Sequence, residues 1–204
     1  MEKKCLIITD VQNDFCPGGA LAVKDGDEII PIINKIAKKF YKVVATQDWH
    51  PINHVSFAST HNKNVGEFID VSGVSQILWP DHCVQSSKGA GFHEFLNQNS
   101  FDLIIRKGTN PDMDSYSVFF ENDKKTRTGL DYYLGGLGIN DVYLCGLATD
   151  YCVYYSALDA KKLGFNTHVI IDASKGVDIP EGNLEDAVND MINKDIKIIN
   201  HTEL

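Results

Sequence analysis

The sequence predicts an α/β fold: a doubly wound parallel sheet with helices on both faces, in three α/β/α layers. The first indication is a set of six short, mostly β-branched segments that are apolar on both faces, as buried parallel strands are. They cover residues 5–8, 43–45, 103–105, 142–145, 169–171 and 196–199. The second indication is that amphipathic segments alternate with these runs, which is typical of strands joined by right-handed helical crossovers.

Four segments between the strands carry apolar residues at helical spacing. The first covers about 29–40, and we expect Asp27 to cap it and Pro31 to lie in its first turn. The other three cover about 130–137, 153–160 and 184–192. The connection 48–101 lacks a regular period, and only one short helix is expected in it, near 91–97. So long a connection inside a compact domain is usually functional.

Length and composition narrow the class of protein. The chain has 204 residues, of which 43% are hydrophobic and 23% charged, so we expect one globular domain over 1–204. A net charge of −9 without a basic cluster argues against a nucleic-acid or anionic-membrane partner. Five cysteines without paired spacing indicate reduced thiols, and no segment resembles a signal peptide or membrane span. We therefore expect a cytoplasmic protein, for which a homo-oligomer is compatible with the sequence.

Polar side chains follow four of the predicted strands, at the points where those strands end. Asp10 follows the first strand, Asp48 and His50 the second, Lys107 the third, and the segment ending at Cys152 the fourth. Because ligands bind outside the carboxyl ends of the strands in open α/β sheets, we expect these side chains to lie close together.

Three of these residues form a set suited to acyl transfer. We expect Cys152 to lie two or three residues beyond a cap at Thr149 or Asp150, where a helix N-terminus favours the thiolate. Lys107 would lower the pKa of that thiol and orient Asp10 as the proton shuttle. A buried, inert thiol is the alternative for Cys152 alone, but the combination favours a nucleophile.

Carboxylate and imidazole side chains suggest a metal site. Asp48 and His50 are two residues apart, so both side chains face the same way in an extended segment. His54 and His82 lie nearby in the sequence, and such ligands suit a borderline divalent ion. Histidines that are hydrogen-bonded at the surface are an equally compatible interpretation.

Aromatic residues from the same loops provide candidate walls for a flat ligand. Phe15 and Trp79 adjoin proposed reactive groups, and with Tyr116 they are the predicted substrate contacts. Trp49 and Phe119 fit better as lids over the core.

Five segments, taken together and in order, resemble the nicotinamidases (pyrazinamidases) of the isochorismatase-like cysteine hydrolases. They read Asp-Val-Gln-Asn-Asp-Phe at 10–15, Asp-Trp-His-Pro-Ile-Asn-His at 48–54, Trp-Pro-Asp-His-Cys at 79–83, Lys-Gly at 107–108 and Gly-Leu-Ala-Thr-Asp-Tyr-Cys-Val at 146–153. The resemblance implies a six-stranded parallel sheet. It also implies that Cys152 is the nucleophile, Asp10 the general base and acid, and Lys107 the third member of the triad. Ala148 matches the residue after a non-proline cis peptide bond, whose N–H joins that of Cys152 in the oxyanion hole.

The resemblance further implies one divalent metal ion, with zinc favoured over iron or manganese. Its ligands would be Asp48, His50 and His82, and His54 is a further candidate. The implied reaction hydrolyses nicotinamide to nicotinate and ammonia through a cysteine thioester, as a step of NAD salvage. Pyrazinamide is expected to be hydrolysed in the same way. The partner would thus be a small aryl carboxamide.

Three other functions remain open on the sequence alone. The first is another cysteine amidase of the superfamily, acting on an N-carbamoyl or ureido substrate; those relatives generally lack the metal set. The second is a phosphoryl-accepting signalling domain around Mg²⁺, which Gln12 disfavours because a second acid is expected there. The third is a metal-binding scaffold, which leaves Lys107 and Cys152 without a role.

Overall fold

The structure, a computed structural model, describes residues 2–204. The strands in that part of the chain are β1 (Lys4–Thr9), β2 (Lys42–Asp48), β3 (Phe68–Val71), β4 (Val74–Ile77), β5 (Leu103–Lys107), β6 (Asp141–Leu147), β7 (Asn166–Lys175) and β8 (Lys197–Ile199). The α-helices are α1 (Ile30–Ala37), α2 (Leu130–Gly136), α3 (Tyr154–Lys162) and α4 (Asn183–Asn193). Over residues 2–204, none of these helices has the length and apolar character that crossing a bilayer requires.

Six strands form one parallel sheet in the order β5-β2-β1-β6-β7-β8, which confirms the predicted fold class. Successive residues of β1 point to opposite faces and enter two separate apolar clusters. Leu6 and Ile8 pack on the side of α1, whereas Cys5 and Ile7 pack on the side of α2, α3 and α4. The three-layer arrangement therefore follows from strands that are apolar on both faces.

The strand order reverses direction between β1 and β6, which places a crevice at the carboxyl ends of these two strands. Gly146 makes the close approach of the strands possible there. Its φ is +113°, and a Cβ at this position would overlap the backbone oxygen of Thr9. The segments that follow β1 and β6 consequently begin side by side.

The long connection differs from the prediction. Residues 68–77 form an antiparallel hairpin of β3 and β4, which the sequence did not indicate. The prediction of a helix near 91–97 is wrong, because backbone groups of these residues form hydrogen bonds with the loop after β1 instead. His93 N donates to Val11 O at 3.0 Å, and Asn13 N donates to Gly91 O at 2.9 Å.

The start of α1 also needs a correction. A 3₁₀ turn, Gly26–Ile29, precedes the helix and contains Asp27, so Asp27 does not cap the helix as expected. Pro31 lies in the first turn of α1, as predicted, where its missing N–H leaves no bond unmade.

Candidate active site

Lys107 is the centre of a buried cluster at the carboxyl end of β5. Its Nζ lies 2.8 Å from Asp10 Oδ2 and 3.4 Å from Cys152 Sγ, and it forms an ion pair with Asp48 Oδ1. It also donates to Ser115 O at 2.9 Å. The expected convergence of a sulfur, a carboxylate and an ammonium is therefore present, even though these residues are far apart in sequence.

Two further polar side chains hold Asp10 and Asp48 in place. The Thr46 hydroxyl, on β2, donates to Asp10 Oδ1 at 2.6 Å, and Asp10 N donates back to Thr46 Oγ1. The Gln12 amide bonds both backbone groups of Asp48, donating to its oxygen and accepting from its nitrogen, each at 2.8 Å. A polar residue directly after the apolar run of β2 was the only available signal for Thr46.

Burial and the neighbouring charges shift the pKa values of the cluster in opposite directions. It raises the pKa of Asp10, and the neighbouring Lys107 ammonium offsets it only in part. Burial lowers the pKa of Lys107, but the carboxylates of Asp10 and Asp48 outweigh it and hold that pKa well above its usual range. Burial raises the pKa of Cys152 well above its usual range. The Lys107 ammonium lowers that pKa, as expected, but offsets the effect of burial only in part. The cluster thus holds a cationic lysine beside a neutral thiol.

A second set of donors shares Asp48 with this cluster. Asp48 Oδ2 faces Nε2 of His50 at 3.7 Å and Nε2 of His82 at 4.0 Å, as expected for side chains that face the same way. Nδ1 of His50 donates to Gly108 O at 2.9 Å, and Nδ1 of His82 donates to Pro80 O at 2.8 Å. Each ring is therefore oriented by its Nδ1 so that its Nε2 points at the shared carboxylate.

This donor set fits a divalent metal ion. Ligand atoms of Asp48, His50 and His82 lie within 4.8 Å of one another, and all three residues are buried. Burial lowers the pKa of His82 to about 4, so its imidazole is neutral at pH 7, the form that binds metals. Backbone carbonyls that accept from the other ring nitrogen are the usual supports of metal-binding histidines.

His54 stands apart from this set of three. Its ring stacks on that of His50 with centroids 4.1 Å apart, and its ligand atoms group with those of His50 and Asp114. Nδ1 of His54 bonds the Ser56 hydroxyl at 2.7 Å, while its buried Nε2 has no hydrogen-bond partner among the described residues.

The metal-free protein is expected to lose about 2 kcal/mol more stability between pH 7 and pH 5 than its His82→Gln variant. The unfolded chain takes up a proton on His82 near pH 6.5, but the folded chain only near pH 4. Unfolding is therefore favoured as pH falls through this window. Urea unfolding in the presence of a chelator measures the difference, with His93→Gln as the control. Equal pH dependence in wild type and His82→Gln would contradict the assignment.

A pocket opens above the two sets of polar groups. The three predicted substrate contacts line it, together with the side chains of Cys152, Asp48 and His82. Further lining residues, not singled out from the sequence, are Leu21, Asp114, Tyr151 and Val177. Trp49 and Phe119 lie outside the lining, and Phe119 is fully buried in the core, in agreement with the prediction for both.

The aromatic walls are braced by contacts with one another. The Phe15 ring lies 5.5 Å from the His82 ring, and Trp79 meets Tyr151 edge-on at 5.0 Å. Trp79 Nε1 donates to the Tyr116 hydroxyl at 3.1 Å. The pocket is thus apolar on its sides, with polar groups at its base, as is typical of sites for flat, small ligands.

The segment after β6 brings Cys152 to the base of the pocket. The peptide bond between Leu147 and Ala148 is cis, as the resemblance implies. Ala148, not Thr149 or Asp150, is the N-cap of the following π-helical turn, Thr149–Val153. The expected caps are therefore wrong. The Asp150 carboxylate accepts from the backbone of 177 and 178 instead, at 2.9 Å each, and so holds the segment after β7 against the pocket.

Known proteins resemble this chain in sequence and in fold. The family model described as the isochorismatase domain matches residues 4–199. The nicotinamidase of Acinetobacter baylyi is 50% identical over 188 residues, which cover 92% of this chain and 87% of that protein. The solved structure of Acinetobacter baumanii nicotinamidase pyrazinamidease superposes with a TM-score of 0.97 at 50% identity, covering 100% of this chain and 98% of that one. Pyrococcus horikoshii pyrazinamidase, solved in complex with zinc, gives a TM-score of 0.79 at 40% identity, with coverage of 97% and 99%.

These similarities extend over nearly the whole chain, and the matched residues 4–199 contain the segments that form both sets of buried polar residues. Identity of this extent to curated nicotinamidases, combined with the matched domain, decides the family. The chain belongs to the isochorismatase family, in its nicotinamidase branch.

Proposed function

We propose that this protein hydrolyses nicotinamide to nicotinate and ammonia through a thioester on Cys152. The observation that carries the proposal is the position of Lys107, whose ammonium contacts two carboxylates and the Cys152 sulfur below an aromatic-lined pocket. Acyl transfer from an amide requires a nucleophile, a base and a stabilising charge within bonding distance of one another. The nicotinamidase relatives support an aromatic amide as the substrate.

In the first step Asp10 takes the proton of the Cys152 thiol. Burial raises the pKa of both groups, so the resting site holds the thiol, and the buried Asp10 is a stronger base than an exposed carboxylate. The Lys107 ammonium, 3.4 Å from the sulfur, stabilises the thiolate as its charge develops.

The sulfur then bonds the carboxamide carbon, and the carbonyl electron pair moves to the oxygen. We assign the N–H groups of Ala148 and Cys152 to this oxyanion, a contribution of about 3–4 kcal/mol per donor in comparable sites. The C–N bond breaks as Asp10 returns its proton to nitrogen, which releases ammonia and leaves the thioester. A water that gives its proton to Asp10 attacks the thioester carbon, and nicotinate leaves as the sulfur regains the proton.

Asp48, His50 and His82 would hold one divalent metal ion, and His54 is a further candidate ligand only, since its ligand atoms group with those of His50 and Asp114. Zinc is favoured over iron or manganese because two imidazoles and a carboxylate suit it, and a pyrazinamidase relative was solved with zinc. When bound, the ion would supply a Lewis acid that orients the substrate through its ring nitrogen. The connection 48–101 would thus carry the metal ligands of a single domain spanning 1–204.

The same pocket would accept pyrazinamide, which differs from nicotinamide by one ring nitrogen. Phe15, Trp79 and Tyr116 would flank the ring, and their apolar faces place no demand on that atom. The nicotinamidase relatives do not support the N-carbamoyl alternative. A role in NAD salvage, a cytoplasmic location and homo-oligomer formation are further parts of the proposal.

The purified protein is expected to release ammonia from nicotinamide and from pyrazinamide. Stripping divalent metal with a chelator should lower the rate, and added Zn²⁺ should restore it, because the substrate would otherwise lose its orientation. Ammonia assays on both amides, with an N-carbamoyl amine as the comparison substrate, measure this. Turnover of the N-carbamoyl compound without turnover of nicotinamide would overturn the proposal.

A further inference from the structure

We propose that Asp14 is a positioning residue, whose carboxylate sets both the metal-ligand segment at His82 and the pocket wall at Phe15. Gly89 lacks a side chain because that carboxylate occupies the space where its Cβ would lie. The inference rests on the proposed function, since it treats His82 as a metal ligand. Asp14 itself lies outside the pocket lining and outside the candidate metal-ligand groups.

The first contact joins Asp14 to the segment that carries His82. Asp14 Oδ2 accepts the N–H of Cys83 at 2.7 Å, and Cys83 has a φ of +46°, in the left-handed region. The carbonyl of Cys83 accepts from His50 N at 3.0 Å, and Gln85 N donates to His50 O at 2.8 Å. One carboxylate therefore fixes the backbone that sets the spacing of the two imidazoles.

The second set of contacts joins Asp14 to the pocket wall. Asp14 Oδ1 accepts from Ala20 N at 3.3 Å, and the Asp14 carbonyl accepts from Leu21 N at 3.0 Å. Leu21 lines the pocket, as does Phe15, the residue directly after Asp14. The loop after β1 and the segment at His82 are thus held together by one side chain.

Gly89 supplies the independent observation. A Cβ built on it would overlap the Asp14 carboxylate, and the φ of Gly89 lies outside the left-handed region that favours glycine. Its backbone also accepts from Asp14 N at 3.0 Å, which keeps the two residues in contact. Space for the carboxylate, and not backbone conformation, is therefore what requires glycine at this position.

The test measures Zn²⁺ affinity of the chelator-stripped protein by competition with a chromophoric chelator. We expect Asp14→Ala to weaken binding about tenfold, the lower end of the range for outer-shell partners of metal ligands. Gly89→Ala should weaken it similarly, because its methyl group displaces the carboxylate. In the double variant Asp14→Ala/Gly89→Ala, the second substitution should cause no further loss of Zn²⁺ affinity. The methyl group at position 89 then occupies the space that the Asp14 carboxylate has left.

Two further variants separate positioning from a general loss of stability. Asp14→Asn keeps one oxygen for the Cys83 N–H and should retain most of the affinity. Asp70→Ala removes a carboxylate that accepts from Gly73 N at 3.0 Å in the β3–β4 hairpin, and should leave metal affinity unchanged. Melting temperatures of all variants are recorded beside the affinities.

The outcomes are distinct. Unchanged affinity in both single variants, or effects that add in the double variant, would overturn the role of Asp14 while leaving the metal site in place. Wild-type protein that binds no Zn²⁺ would overturn the metal site and this inference together. Wild-type protein that binds Zn²⁺ but releases no ammonia from nicotinamide would overturn the proposed reaction alone, because the affinities need no turnover. If Asp14→Ala does not fold, Gly89→Ala and Asp14→Asn still decide the question.

Discussion

Cys152→Ala is expected to lower the rate of ammonia release from nicotinamide by roughly 10⁴-fold or more, as loss of a nucleophile does in comparable enzymes. No other cysteine lines the pocket, so no second thiol of the described residues replaces it. The fold and metal binding should survive, since Lys107 keeps its contacts with Asp10, Asp48 and Ser115 O. Single-turnover ammonia assays and a Zn²⁺ titration of the same preparation measure both parts.

Cys145→Ala is the matched control. Cys145 is a fully buried thiol on β6, in the apolar core and away from the pocket, so its loss should alter stability and leave turnover nearly unchanged. If Cys152→Ala fails to fold while Cys145→Ala folds, Cys152 is a structural thiol and the proposed nucleophile is wrong.

Lys107→Met is expected to destabilise the protein by about 3–5 kcal/mol, the effect of removing one partner from a buried ion pair. The substitution leaves the carboxylates of Asp10 and Asp48 facing each other without a cation, and both are buried. Urea unfolding at pH 7 measures the loss of free energy. Activity should disappear as well, since the thiolate would form without a stabilising charge.

The sign of the pH dependence provides a second check on Lys107→Met. Burial already raises the pKa of Asp10, and loss of the ammonium removes the main group that lowers it, so the folded variant holds a proton on Asp10 that the unfolded chain releases. Its deficit relative to wild type should therefore shrink as pH falls from 7 towards 5. The double variant Asp10→Asn/Lys107→Met should recover part of the stability. A deficit independent of pH and of Asp10 would show that lost packing, and not uncompensated charge, is responsible.

The sheet was predictable because each of its strands contains a short apolar run, which can be recognised from neighbouring residues alone. Residues 68–77 were not predictable in the same way, since the strands Phe68–Val71 and Val74–Ile77 are only four residues long and show no regular alternation of apolar and polar residues. The expected helix near 91–97 failed because its backbone groups bond to residues about 80 positions earlier. A local sequence pattern contains no information about hydrogen-bond partners so far away in the chain.

The same distinction applies to the site. Asp10, Lys107 and Cys152 were found because each lies at the end of a strand or in the segment just beyond it, and the topology brings strand ends together. Thr46 bonds the Asp10 carboxylate and Gln12 bonds the backbone of Asp48; each contacts a residue 36 positions away, and neither carries a local signal. The lowering effect of Lys107 on the Cys152 pKa was predicted correctly from the motifs, but the larger rise caused by burial was not, because the depth of burial depends on the packing of the whole fold.

The two oxygens of Asp48 serve different neighbours: one meets the Lys107 ammonium, and the other faces two imidazoles. Any cation received by the imidazoles must therefore compete with the ammonium for the same negative charge. Cation binding and ionisation of the Cys152 sulfur are therefore coupled. By thermodynamic reciprocity, the factor by which a bound cation changes the ionisation constant of the sulfur equals the factor by which ionisation of the sulfur changes the affinity for the cation. Exchanging one ion for another would consequently change the ionisation, and with it the reactivity, of the Cys152 thiol.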